Sequence, residues 1–475
     1  MYELRSYQTD LINKVTRSMK TGHKHIVVQS PPRTGKTVVM AEIARKTTIK
    51  NNRVMFIVHR KEVLDQTITT FYKQNVDSNL LTAGMVQTLS RRINILPTPQ
   101  LILIDEGHHA LAKSYQKILN KFPDAYVLFF TATPIRTGRK QLDLIADDLI
   151  VGKSIRELTK EKFLAPFKYY SVPYDDLNTN KLKRSSTGDY TKKSMNDALS
   201  NKIYGHVIEN YLKIAKDKQA VVYTYSINSA KKLAQQFNQS HINAVELDGT
   251  SNKDFRDKTV KAFKNQQLKI LVNVDLFTEG VDLPNVDCVI MVRPTESLSL
   301  YMQFSMRCLN PRPGKTAIII DHVKNYQKFG LPNADRNWKQ VFHTKAKNKH
   351  KSNVDGGPNI VTCPSCFAVV DREEIEDNTC PICQFKPIVQ TKGKKIVDQE
   401  LTEIDQKEIE RKREAKKRQK LINSIIHDNV VKNVVNKRIG QLRTYQEFKA
   451  YAEIHGYTNK WAYVMFNKMI KGRNV

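Results

Sequence analysis

Acidic residues are in short supply in this 475-residue chain, where 47 Asp and Glu stand against 78 Lys and Arg for a formal charge of +31. That imbalance excludes an ordinary near-neutral enzyme surface and suits a protein that holds a polyanion, so nucleic acid is the expected partner. Cysteine is scarce too, with six in the whole chain, which excludes a disulfide-stapled scaffold. The first ten residues alternate polar with apolar and lack the apolar core of a secretory signal, so secretion is not expected. Apolar runs stop at strand length, as at residues 126–130, and none approaches the ~18 residues that a membrane-spanning helix needs. Gly and Pro are also few, at 18 and 17, while 40% of residues are hydrophobic. Such a chain can bury several cores and is not globally disordered.

At about 150 residues per domain, the length predicts roughly three domains. Strand candidates at 25–29, 53–58, 101–104 and 126–130 alternate with segments of helical period, and a second series follows at 220–224, 243–247, 268–273, 288–292 and 316–320. Alternation of this kind predicts parallel sheets, hence an α/β protein with two such domains in tandem, over 1–154 and 201–325. Residues 155–200, with Pro166, Pro173 and a polar run, read as an interdomain connector and surface excursion. Beyond them, 326–359 read as a basic linker, 360–388 as a small separate module with paired cysteines, and 389–475 as a basic helix and an aromatic helical tail. That tail carries 20 basic and 10 acidic residues, about twice the net charge per residue of the rest.

Ser30-Pro31-Pro32-Arg33-Thr34-Gly35-Lys36-Thr37 follows a strand and opens a helix, the setting in which backbone N–H groups cradle phosphate. Lys36 is placed to reach the β- and γ-phosphates of ATP and Thr37 to offer a hydroxyl to Mg²⁺, while Gly35 allows close backbone approach. The strict spacing would put Gly at Ser30. The second signal is the apolar strand 101–104 ending in Asp105-Glu106. Asp105 is the candidate Mg²⁺ ligand and Glu106 the group that orients or deprotonates the attacking water.

Asp105-Glu106-Gly107-His108-His109 resembles the box of superfamily-two DEAD/DEAH-type helicases, and further motifs of that family stand in its order. Leu4-Arg5-Ser6-Tyr7-Gln8 resembles the adenine-reading segment, implying base contacts for Arg5 and Gln8. Val58-His59-Arg60-Lys61-Glu62 resembles a strand-contacting motif, and Thr131-Ala132-Thr133-Pro134 the coupling motif, with His108 as the implied bridge to it. Glu279-Gly280-Val281-Asp282 resembles the fifth motif, and Gln303 with Arg307 the sixth. The resemblance implies two RecA-like domains that bind ATP between them, with Arg33, Thr34, Gly35, Lys36 and Thr37 on one side and Gly280, Asp282, Gln303 and the catalytic cation Arg307 on the other. Closure then depends on nucleotide. Near the end, Gly456-Tyr457-Thr458-Asn459-Lys460-Trp461-Ala462-Tyr463, like Gly330-Leu331-Pro332 with Asp335-Arg336 and Trp338, resembles elements of phage-encoded and bacterial RadD-type helicases.

The implied activity is that of an ATP-dependent DNA helicase or translocase acting on single-stranded, forked or branched DNA in replication, recombination or repair. It would work in the cytoplasm of a bacterial or phage-infected cell, alongside replication or recombination proteins. An RNA helicase, a DNA-binding assembly protein with weakened ATPase, and a restriction-type motor subunit whose cleavage would require a partner are the alternatives. The assembly protein is motivated by two departures: Arg33 stands where the family has Gly, and Asn310 where the sixth motif has its second Arg. Arg33 or a neighbouring cation is the expected compensation for Asn310.

Cys363-Pro364-Ser365-Cys366 and Cys380-Pro381-Ile382-Cys383 form two CxxC pairs thirteen residues apart. This spacing predicts a closed four-cysteine Zn²⁺ ribbon of structural role. Cys288 reads as a core residue and Cys308 stands among the sixth-motif positions without a partner in sequence, neither a catalytic candidate, while His109 reads as a packing residue. The aromatics of 445–469 read as a small helical core, with base stacking as the other use.

Overall fold

The computed structural model describes residues 1–135, 142–171, 182–185, 188–199, 204–274, 283, 285–343, 360–386, 433–457 and 459–471. The chain divides into two compact units, Met1–Gln390 and Thr391–Val475.

In the first unit, β1 (His25–Gln29), β2 (Val54–Val58), β3 (Leu81–Met85), β4 (Leu101–Ile104), β5 (Tyr126–Thr131) and β6 (Asp148–Val151) form one sheet in the order β3-β2-β4-β5-β1-β6. Every pairing in it is parallel. Because a parallel sheet is covered on both faces, its strands are apolar throughout. The period of two divides them: Val27, Met55, Ile57, Ile102, Ile104, Val127 and Phe129 pack on one face, and Ile26, Val28, Phe56, Leu103, Leu128 and Phe130 on the other. Each such side chain contributes roughly 1.5–3 kcal/mol by leaving water.

The second sheet contains β7 (Phe167–Ser171), β8 (Ala220–Tyr223), β9 (Ala244–Leu247), β10 (Ile270–Asn273), β11 (Cys288–Met291), β12 (Ala317–Asp321), β13 (Ile360–Thr362) and β14 (Ala368–Asp371), in the order β13-β14-β7-β12-β11-β8-β10-β9. Two expectations change here. Within the stretch read as a connector, residues 167–171 are a strand that pairs in parallel with β12, Tyr169 opposite Ile319. The cysteine module is likewise not separate. Its hairpin β13–β14 lies antiparallel against β7, with Tyr170 opposite Ala368, so it lengthens the second sheet. Phe-Lys-Tyr-Tyr-Ser after a proline carries no strong strand pattern; backbone pairing on both sides makes it one.

The two α/β domains share one buried cluster, which runs from Tyr7 and Val27 to Val289 and Met291. The segment after β12 helps to join them. Leu331, Trp338 and Phe342 belong to the same cluster as Leu142, Leu149, Ile155 and Leu158 of the first domain's edge. Arg336 shapes that strap, its guanidinium donating to the carbonyls of Phe329, Leu331, Pro332 and Ala334 at 2.8–3.1 Å. Gly330 turns the chain with φ 68°, and its carbonyl accepts from the Tyr301 hydroxyl at 2.8 Å.

The second unit packs Val434, Leu442, Phe448, Ala450, Ala452 and Ala462 into a core between helices Tyr445–Ile454 and Asn459–Lys471. The first of these helices starts with Thr444 and Glu447 satisfying each other's backbone N–H groups. Phe466 packs on Phe448, while Tyr451, Trp461 and Tyr457 stack in a row that ends at half-exposed Tyr457. The basic segment 411–420 lies outside the described residues. Among the described residues, no helix is long and apolar enough to cross a membrane.

Candidate nucleotide site and cysteine cluster

β1 runs into the phosphate loop, and the loop is stapled from within. The Thr34 hydroxyl donates to Pro31 O at 2.7 Å and accepts from Ser30 Oγ at 2.7 Å, so the serine at the usual glycine position serves as a fastener. The Thr34 carbonyl accepts from the Tyr7 hydroxyl at 2.9 Å and from Gln8 Nε2 at 3.1 Å. Gln8 Oε1 accepts from Arg5 N at 3.0 Å, and the Arg5 guanidinium lies over the Phe163 ring. The adenine-segment residues thus hold the loop. Gly35 is required by its φ of 75°, and a Cβ there would lie 2.5 Å from Gln8 Nε2 and displace that side chain from the loop. Lys36 and Thr37 then open the helix Lys36–Thr48, whose first N–H groups have no partner within the helix.

β4 delivers Asp105 and Glu106 at the same sheet edge. Asp105 is buried, and its Oδ1 accepts from Glu106 N at 2.9 Å. Glu106 has φ 49°, which turns the chain sharply, and Gly107 follows because a Cβ there would meet Phe129 Cβ at 2.7 Å. Glu106 Oε1 lies 3.8 Å from Lys36 Nζ and Oε2 3.3 Å from His108 Nδ1. The His108 ring leans on His109 at 4.1 Å, and His109 on His59 at 4.7 Å, so His109 packs between two motifs. On the neighbouring strand, Thr131 Oγ1 donates to Thr133 O, and Gln29 Nε2 to Ala132 O.

The second domain presents Arg307 on the turn Met306–Cys308, after the helix Leu298–Ser305 that holds buried Gln303. Arg307 is buried and bonds the Tyr223 hydroxyl, whose ring stacks on Phe304 at 3.9 Å. Arg33 crosses from the first domain, with Nη2 3.2 Å from Leu283 O and 3.5 Å from Arg307 O. Arg256 pairs with Glu62 across the same boundary at 3.5 Å. Gly280 and Asp282, with Glu279 and Val281, lie outside the described residues.

A cavity of about 570 Å³ is lined by Thr37, His59, Asp105 and Glu106 of the first domain and by Lys264 of the second. Neither Lys264 nor Arg256 stood out in the sequence, since lone charges on helices carry no motif, and the motif that contains Glu62 does not name its partner. Tyr7 and Tyr223 were equally silent, although Tyr7 adjoins Gln8. Cys288 and Cys308 are fully buried, and burial pushes the Cys308 thiol up to about 12, so both are inert.

The four remaining cysteines converge. Cys363 Sγ lies 3.7 Å from Cys383 Sγ and Cys366 Sγ 3.8 Å from Cys380 Sγ, and all four lie within 4.8 Å of one another. Four thiolates at ~2.3 Å from a tetrahedral Zn²⁺ stand about 3.8 Å apart, so the donor set fits that ion. The two knuckles are the same turn used twice: Phe367 N donates to Cys363 O and Gln384 N to Cys380 O, each at 2.9 Å, with φ near 60° at Phe367 and Gln384. The first knuckle is also the loop of the β13–β14 hairpin. Arg156 Nη2, 3.2 Å from Asp371, ties the module to the helix that follows the first domain.

Comparison with known proteins follows the same division. The family model described as "Type III restriction enzyme, res subunit" matches residues 1–90 and 81–136, and "Helicase conserved C-terminal domain" matches 203–311. A 51.5 kDa protein of a Lactococcus phage is 37% identical over 387 residues, covering 81% of this chain and 84% of its own. A Saccharomyces cerevisiae protein bearing the name ATP-dependent helicase IRC3 is 29% identical, covering 67% of this chain. The chain spans about half, 51%, of that yeast protein's length. An HsdR-subunit fragment of a type I restriction enzyme from Vibrio vulnificus superposes with a TM-score of 0.56 at 20% identity, covering 70% of this chain and 67% of its own. At that identity the likeness is one of fold.

Proposed function

The chain belongs to the superfamily-two helicases and is an ATP-hydrolysing nucleic-acid helicase, and from that premise we propose that it moves along DNA to separate strands or remodel junctions in replication, recombination or repair. The observation that carries this reading is the shared cleft. Lys36 and Thr37 at a helix start lie beside Asp105 and Glu106 at a strand end. The cavity lined by Thr37, Asp105 and Glu106 is lined by Lys264 of the second domain as well, and Arg33 of the phosphate loop reaches the turn bearing Arg307. A nucleotide bound there touches both domains, so its hydrolysis changes what holds them together.

In this reading Lys36 leaves Glu106 to meet the β- and γ-phosphates. Glu106, released from that pair and still beside His108, orients the attacking water and accepts its proton. Thr37 and Asp105, which line one cavity, would hold Mg²⁺, whose charge would offset that of the phosphate oxygens. Arg307 meets the transferring phosphoryl group from the second domain. The four cysteines would hold Zn²⁺ as a structural brace on the second sheet. DNA is favoured over RNA by the RadD-type elements, and the net charge of +31 serves either polymer.

The test is Mg²⁺-dependent ATP hydrolysis by the purified chain with no nucleic acid, single-stranded DNA, forked DNA or matched RNA, with Lys36→Ala as the blank. Turnover stimulated by DNA above RNA and lost in the blank is expected. Stimulation by RNA alone would replace the DNA reading with the RNA one, and tight DNA binding without turnover would replace it with an assembly protein.

A further inference from the structure

Position 33 pairs a backbone that suits glycine with a side chain that glycine lacks. Its backbone is left-handed, with φ 67°, a conformation glycine adopts freely and arginine only when its surroundings enforce it. Its side chain also leaves its own domain. Nη2 donates to Leu283 O at 3.2 Å and reaches Arg307 O at 3.5 Å, partners 250 and 274 residues away. The second of these carbonyls belongs to the turn Met306–Cys308, and Leu283 stands next to the fifth-motif residues in sequence. Arg33 therefore reaches the backbone of Arg307 itself and that of Leu283 while its own backbone forms the phosphate loop.

We propose that Arg33 is a positioning residue that pins the Arg307 turn to the phosphate loop, so that the trans cation is held in register with the phosphates it must meet. This rests on the reading of Arg307 as that cation. A guanidinium fixed to backbone carbonyls sets the distance between loop and turn, which a glycine cannot do, and displacement of a reacting group by ~1 Å can cost about 10²-fold in rate. The same link accounts for Asn310. Where one arginine of the sixth motif is absent, the remaining one is steadied from the opposite domain.

The experiment is single-turnover, DNA-stimulated ATP hydrolysis by the full chain, together with equilibrium binding of a fluorescent ATP analogue, for wild type, Arg33→Gly, Arg33→Lys, Arg307→Ala and the Arg33→Gly/Arg307→Ala pair. Arg33→Gly relieves the left-handed backbone, which favours the fold, and is expected to lower the hydrolysis rate about 10- to 100-fold. Analogue affinity should fall by less than the hydrolysis rate does. Arg33→Lys, which keeps a donor, should recover much of the rate. A residue that acts through Arg307 has nothing left to act on when Arg307 is gone, so the double variant should match Arg307→Ala alone. Wild-type hydrolysis by Arg33→Gly, or the same further loss in the Arg307→Ala background, would overturn the inference while leaving Arg307 in its role. Wild-type hydrolysis by Arg307→Ala would instead remove the reading on which the inference stands.

Discussion

At the phosphate loop the groups that would meet a nucleotide hold one another: Lys36 lies 3.8 Å from Glu106, and Glu106 lies 3.3 Å from His108. At the cysteine cluster the Sγ atoms already stand at 3.7 and 3.8 Å, the separations a tetrahedral metal leaves. Both sites are turns at the ends of strands, and both place polar atoms close together. They differ in what binding demands. On the proposed reading the first would exchange an internal ion pair for phosphate at every cycle, whereas the second would accept an ion with little rearrangement. A motor needs the first behaviour in its cleft and the second in its braces, because a brace that yielded would absorb the movement that hydrolysis produces.

Lys36→Ala should break the cleft side of this comparison most severely, lowering DNA-stimulated phosphate release by about 10³-fold or more. Hydrogen exchange at the ribbon, residues 360–386, should be unchanged in that variant. A Lys36→Ala protein with a tenth of normal turnover would mean that Lys36 does not meet the phosphates. Stripping metal with a chelator, or changing buried Cys380 to Ser, should do the reverse. The ribbon should lose on the order of several kcal/mol of local stability, with faster exchange at 360–371 and at β7, while analogue binding persists. Atomic absorption should find one zinc per chain, and loss of nucleotide binding on chelation would show that the two sites are not independent.

Smaller effects sharpen the picture. Arg156→Ala removes a partly exposed bridge to Asp371 and should loosen the ribbon by ~1 kcal/mol at most, read by exchange at β14. A double-mutant cycle on Glu62 and Arg256 should give a coupling below about 1 kcal/mol that fades with added salt; a larger value would make that bridge a second latch between the domains. Asn310→Arg should leave turnover close to wild type, as expected where Arg33 already steadies the turn. A marked rise would show that the missing arginine limits the rate.

Much of this was legible in the residues because buried parallel strands read as short apolar runs. All nine strand candidates are strands, with ends shifted by two residues or fewer. β3 and β6 were missed: Leu81–Met85 contains Gly84, and Asp148–Val151 opens on a charged residue and offers only three apolar ones. β7 needed its neighbours. The cysteine spacing predicted a four-thiol cluster, and the four sulfur atoms do converge. What the spacing could not show was that the first knuckle turns a hairpin added to the edge of the second sheet. Nor could it show that the sheet edge is tied by Arg156 to the helix beyond the first domain.

The sequence by itself determined the chemistry available: which side chains can hold phosphate, metal ions and a developing charge, since those depend on residue type and on spacing within one turn. Tertiary structure decided which of these groups meet. Lys36 with Glu106, Arg33 with Leu283 and Arg307, and Lys264 on the same cavity as Asp105 are brought together over 70 to more than 250 residues. No local pattern encodes such a pairing, because it depends on how two sheets pack around one shared core.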